Sequence, residues 1–257
     1  MKFCRFTPSA AAAPLFGVIE GDDVFEISAA PWEHWNRGAR TWKLSTVQLL
    51  APVAPRKIVC VGRNYAAHAA ELGNEVPKEP LIFLKPSSAI VGPDEPILLP
   101  SYSQRVEHEG ELAMVIGHTC SDLGDDDDVL SYVLGYTCLN DVTARDLQKS
   151  DVQFTRAKGF DTFCPVGPHI ETEIVPANIL VEAYVNGERR QSGSTSLMAY
   201  SCAFIVRWIS RMMTLEAGDV IATGTPAGVG PLLSGDSVEV RVEGIGVLRN
   251  PVHSRNA

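Results

Sequence analysis

The sequence predicts a mixed α/β fold dominated by strands, a β-roll or barrel with short helices packed outside. Three observations predict it. Short apolar runs bounded by Pro, Gly or Asn recur along the chain, among them "KIVCVG", "PLIFLKP" and "EPILLP". Helical periodicity is confined to a few segments, such as "RNYAAHAAEL" and "SCAFIVRWISRMMTLEAGD". These segments do not alternate regularly with the strands, as a doubly wound sheet would require.

Taken in order, residues 1–52 are expected to form a small β-rich N-terminal appendage. "LFGVIEG" and "DVFEIS" read as a hairpin turning at Gly21-Asp22. "WEHWNRGARTW" reads as loop or short helix, and "TVQLLAPVAPRK", with Pro52 and Pro55, as a linker. Residues 56–251 are expected to form the main domain. "KIVCVG" is a strand leading into the short helix "RNYAAHAAEL". "VLSYVLGYTCLND" is a strand running into the helix "VTARDLQKSD". "LVEAYVNGERRQSG" is a hairpin on the type I′ signal Asn186-Gly187. The tail is strands joined by Gly-rich turns.

The 257 residues, 45% hydrophobic and 21% charged, have the composition of a globular protein. A net charge of −9 offers no basic stripe for nucleic acid and no attraction to anionic lipid. No apolar stretch reaches the roughly 18 residues of a membrane helix. The six cysteines form no C-x-x-C pair and read as reduced, buried thiols, as expected in the cytoplasm.

The most informative residues are Glu109 and Glu111, in "RVEHEGELAMVIG". Side chains alternate along a strand, so the two carboxylates point the same way. Acidic residues on an exposed strand face are common. If this pair is buried, a cation between the two relieves their repulsion. An all-oxygen set favours a hard ion such as Mg²⁺, Mn²⁺ or Ca²⁺ over zinc. Glu107 shares the face by periodicity and is expected outside the ligand shell; His108 is expected to face away.

Asp141 ends a strand and precedes "VTARDLQ". It is either a helix cap or a third carboxylate beside the glutamates. Two glutamates and an aspartate would leave about three positions open on an octahedral ion. Arg145 and Gln148 follow on one helix face and could hold an anionic group, or Arg145 could simply pair with an acid. Lys158 is either an exposed loop cation or a point charge beside the metal. His68 and Glu71, at i,i+3, are either a surface pair or a carboxylate-oriented general base. Thr225, in "TGTPAGVG", sits in a turn that could hold a carboxylate; that stretch lacks the Lys-Ser/Thr ending of a phosphate loop.

Together, "VGRNYAAHAAE", "PLIFLKPSSAI", "EHEGELAMVIG", "GYTCLNDVTARDLQ", "AKGFDTFCPVGP", "VNGERRQ" and "GDVIATGTPAGVG" resemble the fumarylacetoacetate hydrolase family, in collinear order over residues 56–251. The resemblance implies a β-sandwich roll, a homodimer, and Mg²⁺ or Mn²⁺ held by Glu109, Glu111 and Asp141. It also implies an active-site Lys158, a His68–Glu71 dyad, and substrate contacts from Arg145, Gln148 and Thr225. The expected substrate is a small 2-oxo acid or dicarboxylate. The leading expectation is C–C hydrolysis of 2,4-dioxo acids of acylpyruvate or fumarylpyruvate type, giving pyruvate and a carboxylic acid. The alternatives are oxaloacetate decarboxylation, isomerisation or decarboxylation of hydroxymuconate-type diacids, and a non-catalytic metal-stabilised binding module.

Overall fold

The computed structural model describes residues 1–255. A twelve-stranded sheet, a five-stranded sheet and a three-stranded sheet make up the architecture, with four short α-helices outside them. The strand Gly110–Ile116 is central to the large sheet. It pairs antiparallel with Val133–Asn140 on one side and with Val220–Ala222 on the other. Both of its faces are buried. Leu112, Met114 and Ile116 enter one core, and Ala113 and Val115 enter another. A strand covered on both faces needs no polar alternation, so "ELAMVIG" is an unbroken apolar run.

The five-stranded sheet closes the first core with Val181, Val240 and Val242, helped by Ile205, Val206 and Ile209 of the helix Cys202–Ser210. That helix is capped by Ser201, whose hydroxyl accepts the Phe204 amide. It is shorter than the amphipathic pattern "SCAFIVRWISRMMTLEAGD" suggests, ending at Ser210. The hairpin Leu180–Val185/Glu188–Ser194 turns at Asn186 and Gly187, with φ of 52° and 79°. Two consecutive positive φ values are what a type I′ turn needs, and Asn-Gly supplies them at least cost.

The N-terminal strands extend the large sheet from its Cys164–Glu171 strand, to which Lys2–Thr7 is paired. The hairpin Leu15–Glu20/Asp23–Ile27 turns at Gly21-Asp22 as the sequence suggests. Two neighbouring segments differ from expectation. "WEHWNRGARTW" contains all but the last residue of the edge strand Arg37–Lys43, and the supposed linker contains the strand Gln48–Leu50. Arg37–Lys43 buries almost nothing, so its sequence carries no apolar alternation to betray it. At the other edge, Ile58–Gly62 runs parallel to Val220–Ala222 and antiparallel to Leu81–Lys85. Among the described residues, no helix is long and apolar enough to cross a membrane. All six cysteines are unpaired and buried.

Candidate metal centre and active-site cavity

The site forms where the strand carrying the glutamates passes from one sheet to another. Val106–His108 belongs to the three-stranded sheet and Gly110–Ile116 to the twelve-stranded one, with Glu109 at the break. Gly110 pairs with Asn140, which sets Asp141 across from Glu109; the Asp141 amide donates to the Glu109 carbonyl at 2.8 Å. Directly opposed residues of an antiparallel pair share a face. Glu109, Glu111 and Asp141 therefore converge, and each offers a carboxylate oxygen within 4.8 Å of the others. All three are buried. Asp141 caps no helix: the following helix, Arg145–Ser150, begins four residues later.

Cations surround this triad. Lys158 Nζ donates to Glu109 Oε2 at 2.7 Å and to Asp141 Oδ2 at 2.5 Å. Lys85 Nζ donates to Asp141 Oδ1 at 2.7 Å and to the Val142 carbonyl at 3.3 Å. Arg145 donates from Nε to Glu107 Oε2 at 2.7 Å, from Nη2 to Glu109 and from Nη1 to Gln148. Lys85, Arg145 and Lys158 are each only 2% exposed. Lys158 is thus no loop cation. The two lysines meet at Asp141, and the residues after them are neighbours, since a Cβ built at Gly159 would lie 3.3 Å from Pro86 Cδ. Phe83 lies under Lys158, 5.0 Å from Nζ to the ring centre.

Four buried carboxylates, Glu107, Glu109, Glu111 and Asp141, face three buried cations. The uncompensated charge falls on Glu111. Among the described residues it makes no ion pair, and its hydrogen bond comes from the Gly224 amide, 2.7 Å from Oε2. Burial, then the nearby Asp141 and Glu109 charges, push its carboxyl well above the ordinary range. Burial acts the same way on Glu109, but Lys158 and Arg145 outweigh it and hold that carboxyl low. A buried carboxylate facing two others, with no cation of its own, is chemistry that suits a divalent ion. The donor set therefore fits a hard metal ion. Glu107 lies outside the triad and is spent on Arg145 and Arg105.

The triad opens into a cavity of about 240 Å³ that Arg63, His68, Phe83, Arg145, Gln148, Phe154, Lys158 and Thr225 help to line. His68 is buried on the helix Ala66–Glu71, and its Nδ1 lies 3.4 Å from Glu71 Oε2. Glu71 itself is exposed and accepts the Gly228 amide, 3.1 Å from each oxygen. The Thr225 hydroxyl donates to the Gly110 carbonyl at 2.8 Å and accepts from Gln191 Nε2 at 2.7 Å, so it braces the strand between the two glutamates. His108 points elsewhere, with Nδ1 3.1 Å from Gln191 Oε1.

A family model described as fumarylacetoacetate (FAA) hydrolase C-terminal matches residues 57–253. The chain belongs to the fumarylacetoacetate hydrolase family. A second model, Rv2993c-like N-terminal, matches residues 1–52. Protein Rv2993c of Mycobacterium tuberculosis is 52% identical over 230 residues, 88% of this chain and 86% of the relative. The oxaloacetate tautomerase YisK of Bacillus subtilis is 39% identical over 258 residues, 91% and 84% of the two chains. Among solved structures, a 5-carboxymethyl-2-hydroxymuconate delta-isomerase from Mycobacterium smegmatis superposes with a TM-score of 0.91 at 46% identity, covering 99% of this chain and 100% of that one. A maleylpyruvate hydrolase from Sphingobium sp. SYK-6, in complex with manganese(II) and pyruvate, superposes with a TM-score of 0.81 at 31% identity, covering both chains fully.

This family member brings all nine residues singled out in its sequence into or beside one cavity, Glu71 alone standing behind His68. Lys85 and the cavity-lining Arg63 escaped the sequence reading. Lys85 ends the strand "LIFLK", where it passes for an edge residue before a proline. Its signal is a charge closing an apolar run. Glu107 lies outside the ligand shell as expected, and there it holds Arg145 against Glu109.

Proposed function

We propose that the protein interconverts tautomers or isomers of small 2-oxo dicarboxylates, oxaloacetate being the simplest, with Mg²⁺ or Mn²⁺ held by Glu109, Glu111 and Asp141. Residues 56–251 are the catalytic unit in this reading. One observation carries it: three carboxylates that need a cation share a small cavity with a buried lysine and a single imidazole. A cavity of about 240 Å³ is below the usual range for drug-sized ligands and suits a short diacid. The tautomerase and isomerase names of the 39% and 46% identical proteins favour proton transfer over hydrolysis.

The chemistry follows from the groups present. A bound divalent ion supplies a Lewis acid that polarises the 2-oxo group. The Lys158 ammonium stabilises negative charge developing on that oxygen. Glu71, an acceptor, orders His68 with its proton on Nδ1 and leaves Nε2 as the basic nitrogen. His68 then takes a proton from the carbon next to the 2-oxo group, and returning it to oxygen completes the tautomerisation. The remaining N–H groups of Arg145, the Gln148 amide and the Thr225 segment bind the carboxylate at the metal end.

Hydrolysis of acylpyruvates is the second reading. The His68–Glu71 pair favours it, because the same base can deliver water to a distal carbonyl. A panel assay on Mn²⁺-loaded protein separates the two. Oxaloacetate enol–keto exchange is followed by ultraviolet absorbance, with pyruvate and CO₂ detected in parallel, and the loss of acetylpyruvate and maleylpyruvate is measured alongside. Accelerated exchange that falls about 10²–10⁴-fold in His68→Ala is expected. Acylpyruvate cleavage without exchange rejects the first reading for the second. Metal-dependent stabilisation with no turnover of any substrate leaves a binding module.

A further inference from the structure

Arg63 follows the strand Ile58–Gly62 and lines the cavity wall. Its φ is 58°, in the left-handed region where an arginine is strained and a glycine is not. The next residue holds it there. Asn64 is fully buried, its Nδ2 donates to the carbonyls of Thr223 at 2.8 Å and Tyr200 at 3.1 Å, and its Oδ1 accepts the Tyr200 amide at 2.8 Å. Asn64 Cβ would lie 2.8 Å from a Cβ at Gly224, whose amide binds Glu111. The strained backbone is therefore clamped beside the metal triad.

The side chain of Arg63 is half-buried, and among the described residues it makes no ion pair and no side-chain hydrogen bond. The other cavity cations differ. Lys158 and Arg145 are already neutralised by Glu109, Asp141 and Glu107, and Lys149 is exposed. A guanidinium held half out of water without a counter-ion, in a strained backbone conformation, is set to receive an anion.

We propose that Arg63 determines specificity, receiving the substrate carboxylate remote from the metal and so selecting 2-oxo dicarboxylates over their monocarboxylate analogues. This rests on the reading that the substrate chelates the metal at the triad. Lys158 is spent on Glu109 and Asp141, and the N–H groups that Arg145 has left go to the metal-end carboxylate, which leaves Arg63 for the distal one.

The test uses Mn²⁺-loaded protein and unreactive ligands. Malate carries a chelating end and a distal carboxylate; 2-hydroxybutanoate has the same chelating end without the distal carboxylate; oxalate has the chelating end alone. Affinities are measured by calorimetry for wild type, Arg63→Gly, Arg63→Lys and Lys149→Ala. Arg63→Gly fits the left-handed backbone, so it is expected to melt no lower than wild type. It should lose malate affinity by about 10- to 100-fold, the range for a charge-assisted contact, with oxalate and 2-hydroxybutanoate unchanged. Arg63→Lys should recover part of the loss, and Lys149→Ala should bind malate as wild type does. Equal losses for all three ligands, no preference of wild type for malate over 2-hydroxybutanoate, or a loss confined to Lys149→Ala overturns the proposal. If the malate preference vanishes as expected while the enzyme turns over no 2-oxo dicarboxylate, the role of Arg63 stands and the proposed reaction falls.

Discussion

Asp141 lies directly opposite Glu109, its amide 2.8 Å from the Glu109 carbonyl, although neither residue belongs to an assigned strand. The antiparallel register thus runs one step past the end of the ladder, and that step puts a third carboxylate on the face of the first two. The same geometry dictates where a charge deficit collects. Lys158 reaches Glu109 and Asp141, Lys85 reaches Asp141, and Glu111 keeps only a backbone amide.

Glu111→Gln should therefore separate stability from metal binding. The neutral amide still accepts from the Gly224 N–H and removes an unpaired buried charge. In EDTA the variant should melt higher than wild type, by about 2–4 °C for each kcal/mol recovered. With Mn²⁺ the order should reverse. Wild type gains about 2.7 kcal/mol at a hundredfold excess of metal over its Kd, and the variant gains almost none. Thermal melts in both conditions check this; a variant that melts lower in EDTA and still responds fully to Mn²⁺ would show that Glu111 is no ligand.

Lys85→Met tests the opposite case. Lys85 is fully enclosed and its ammonium binds Asp141 Oδ1. Removing one partner of a buried pair leaves the other charge stranded, at a cost of about 3–5 kcal/mol. Urea unfolding in EDTA should show that loss. Adding Mn²⁺ should return more stability to the variant than to wild type, because the ion then supplies the charge that Lys85 no longer gives Asp141. Equal metal responses would mean that Lys85 acts on something other than the triad.

Much of this site could be read along the chain because strands have a period of two. Glu109 and Glu111 declare a common face, and Asp141 directly follows the next strand, whose antiparallel return brings it back beside Glu109. Arg145 was legible as a cation on a helix, but its partners were not. Glu107 and Glu109 lie 38 and 36 residues away, and both are buried rather than on the surface. Lys85 was hidden for a related reason: its value lies in a contact 56 residues distant, with three strands of the sheet between the two. In the fold, strongly apolar strands such as Ile58–Gly62 announced themselves, whereas Arg37–Lys43 did not, since an exposed edge strand buries no face to pattern.

His169 should make stability fall as the pH drops. It lies on Cys164–Glu171, its Nε2 is buried without a partner, and burial, with help from Lys2, pushes it down to about 4. Its ordinary value is near 6.5, so between about 6.5 and 4 the unfolded chain binds a proton that the folded chain refuses. Stability contributed by the neutral ring is therefore present above pH 6.5 and is lost towards pH 4, on the order of 3 kcal/mol in all. Chemical unfolding of wild type and His169→Asn from pH 7.5 to 4.5 reads the difference; parallel slopes for the two proteins would sink the assignment.

Gly224→Ala should damage the metal site more than an equivalent change elsewhere. Gly224 has φ of 99°, and a Cβ there would meet Asn64 Cβ at 2.8 Å and the Val61 carbonyl at 3.2 Å. Backbone must shift, and the amide that shifts is the one 2.7 Å from Glu111 Oε2. Gly235 provides the control, with φ of 97° and nothing within 4 Å of an added Cβ. Both variants suffer the strain of an alanine at positive φ, a cost above about 1 kcal/mol. Only Gly224→Ala adds a clash and moves the Glu111 donor. Gly235→Ala should therefore lose stability while binding Mn²⁺ as wild type does, and Gly224→Ala should lose more stability and bind Mn²⁺ at least tenfold more weakly, roughly the 1.4 kcal/mol expected for one misplaced charged hydrogen bond. Calorimetric titration of both with Mn²⁺ decides it: equal affinities would show that the Gly224 amide has no part in placing Glu111.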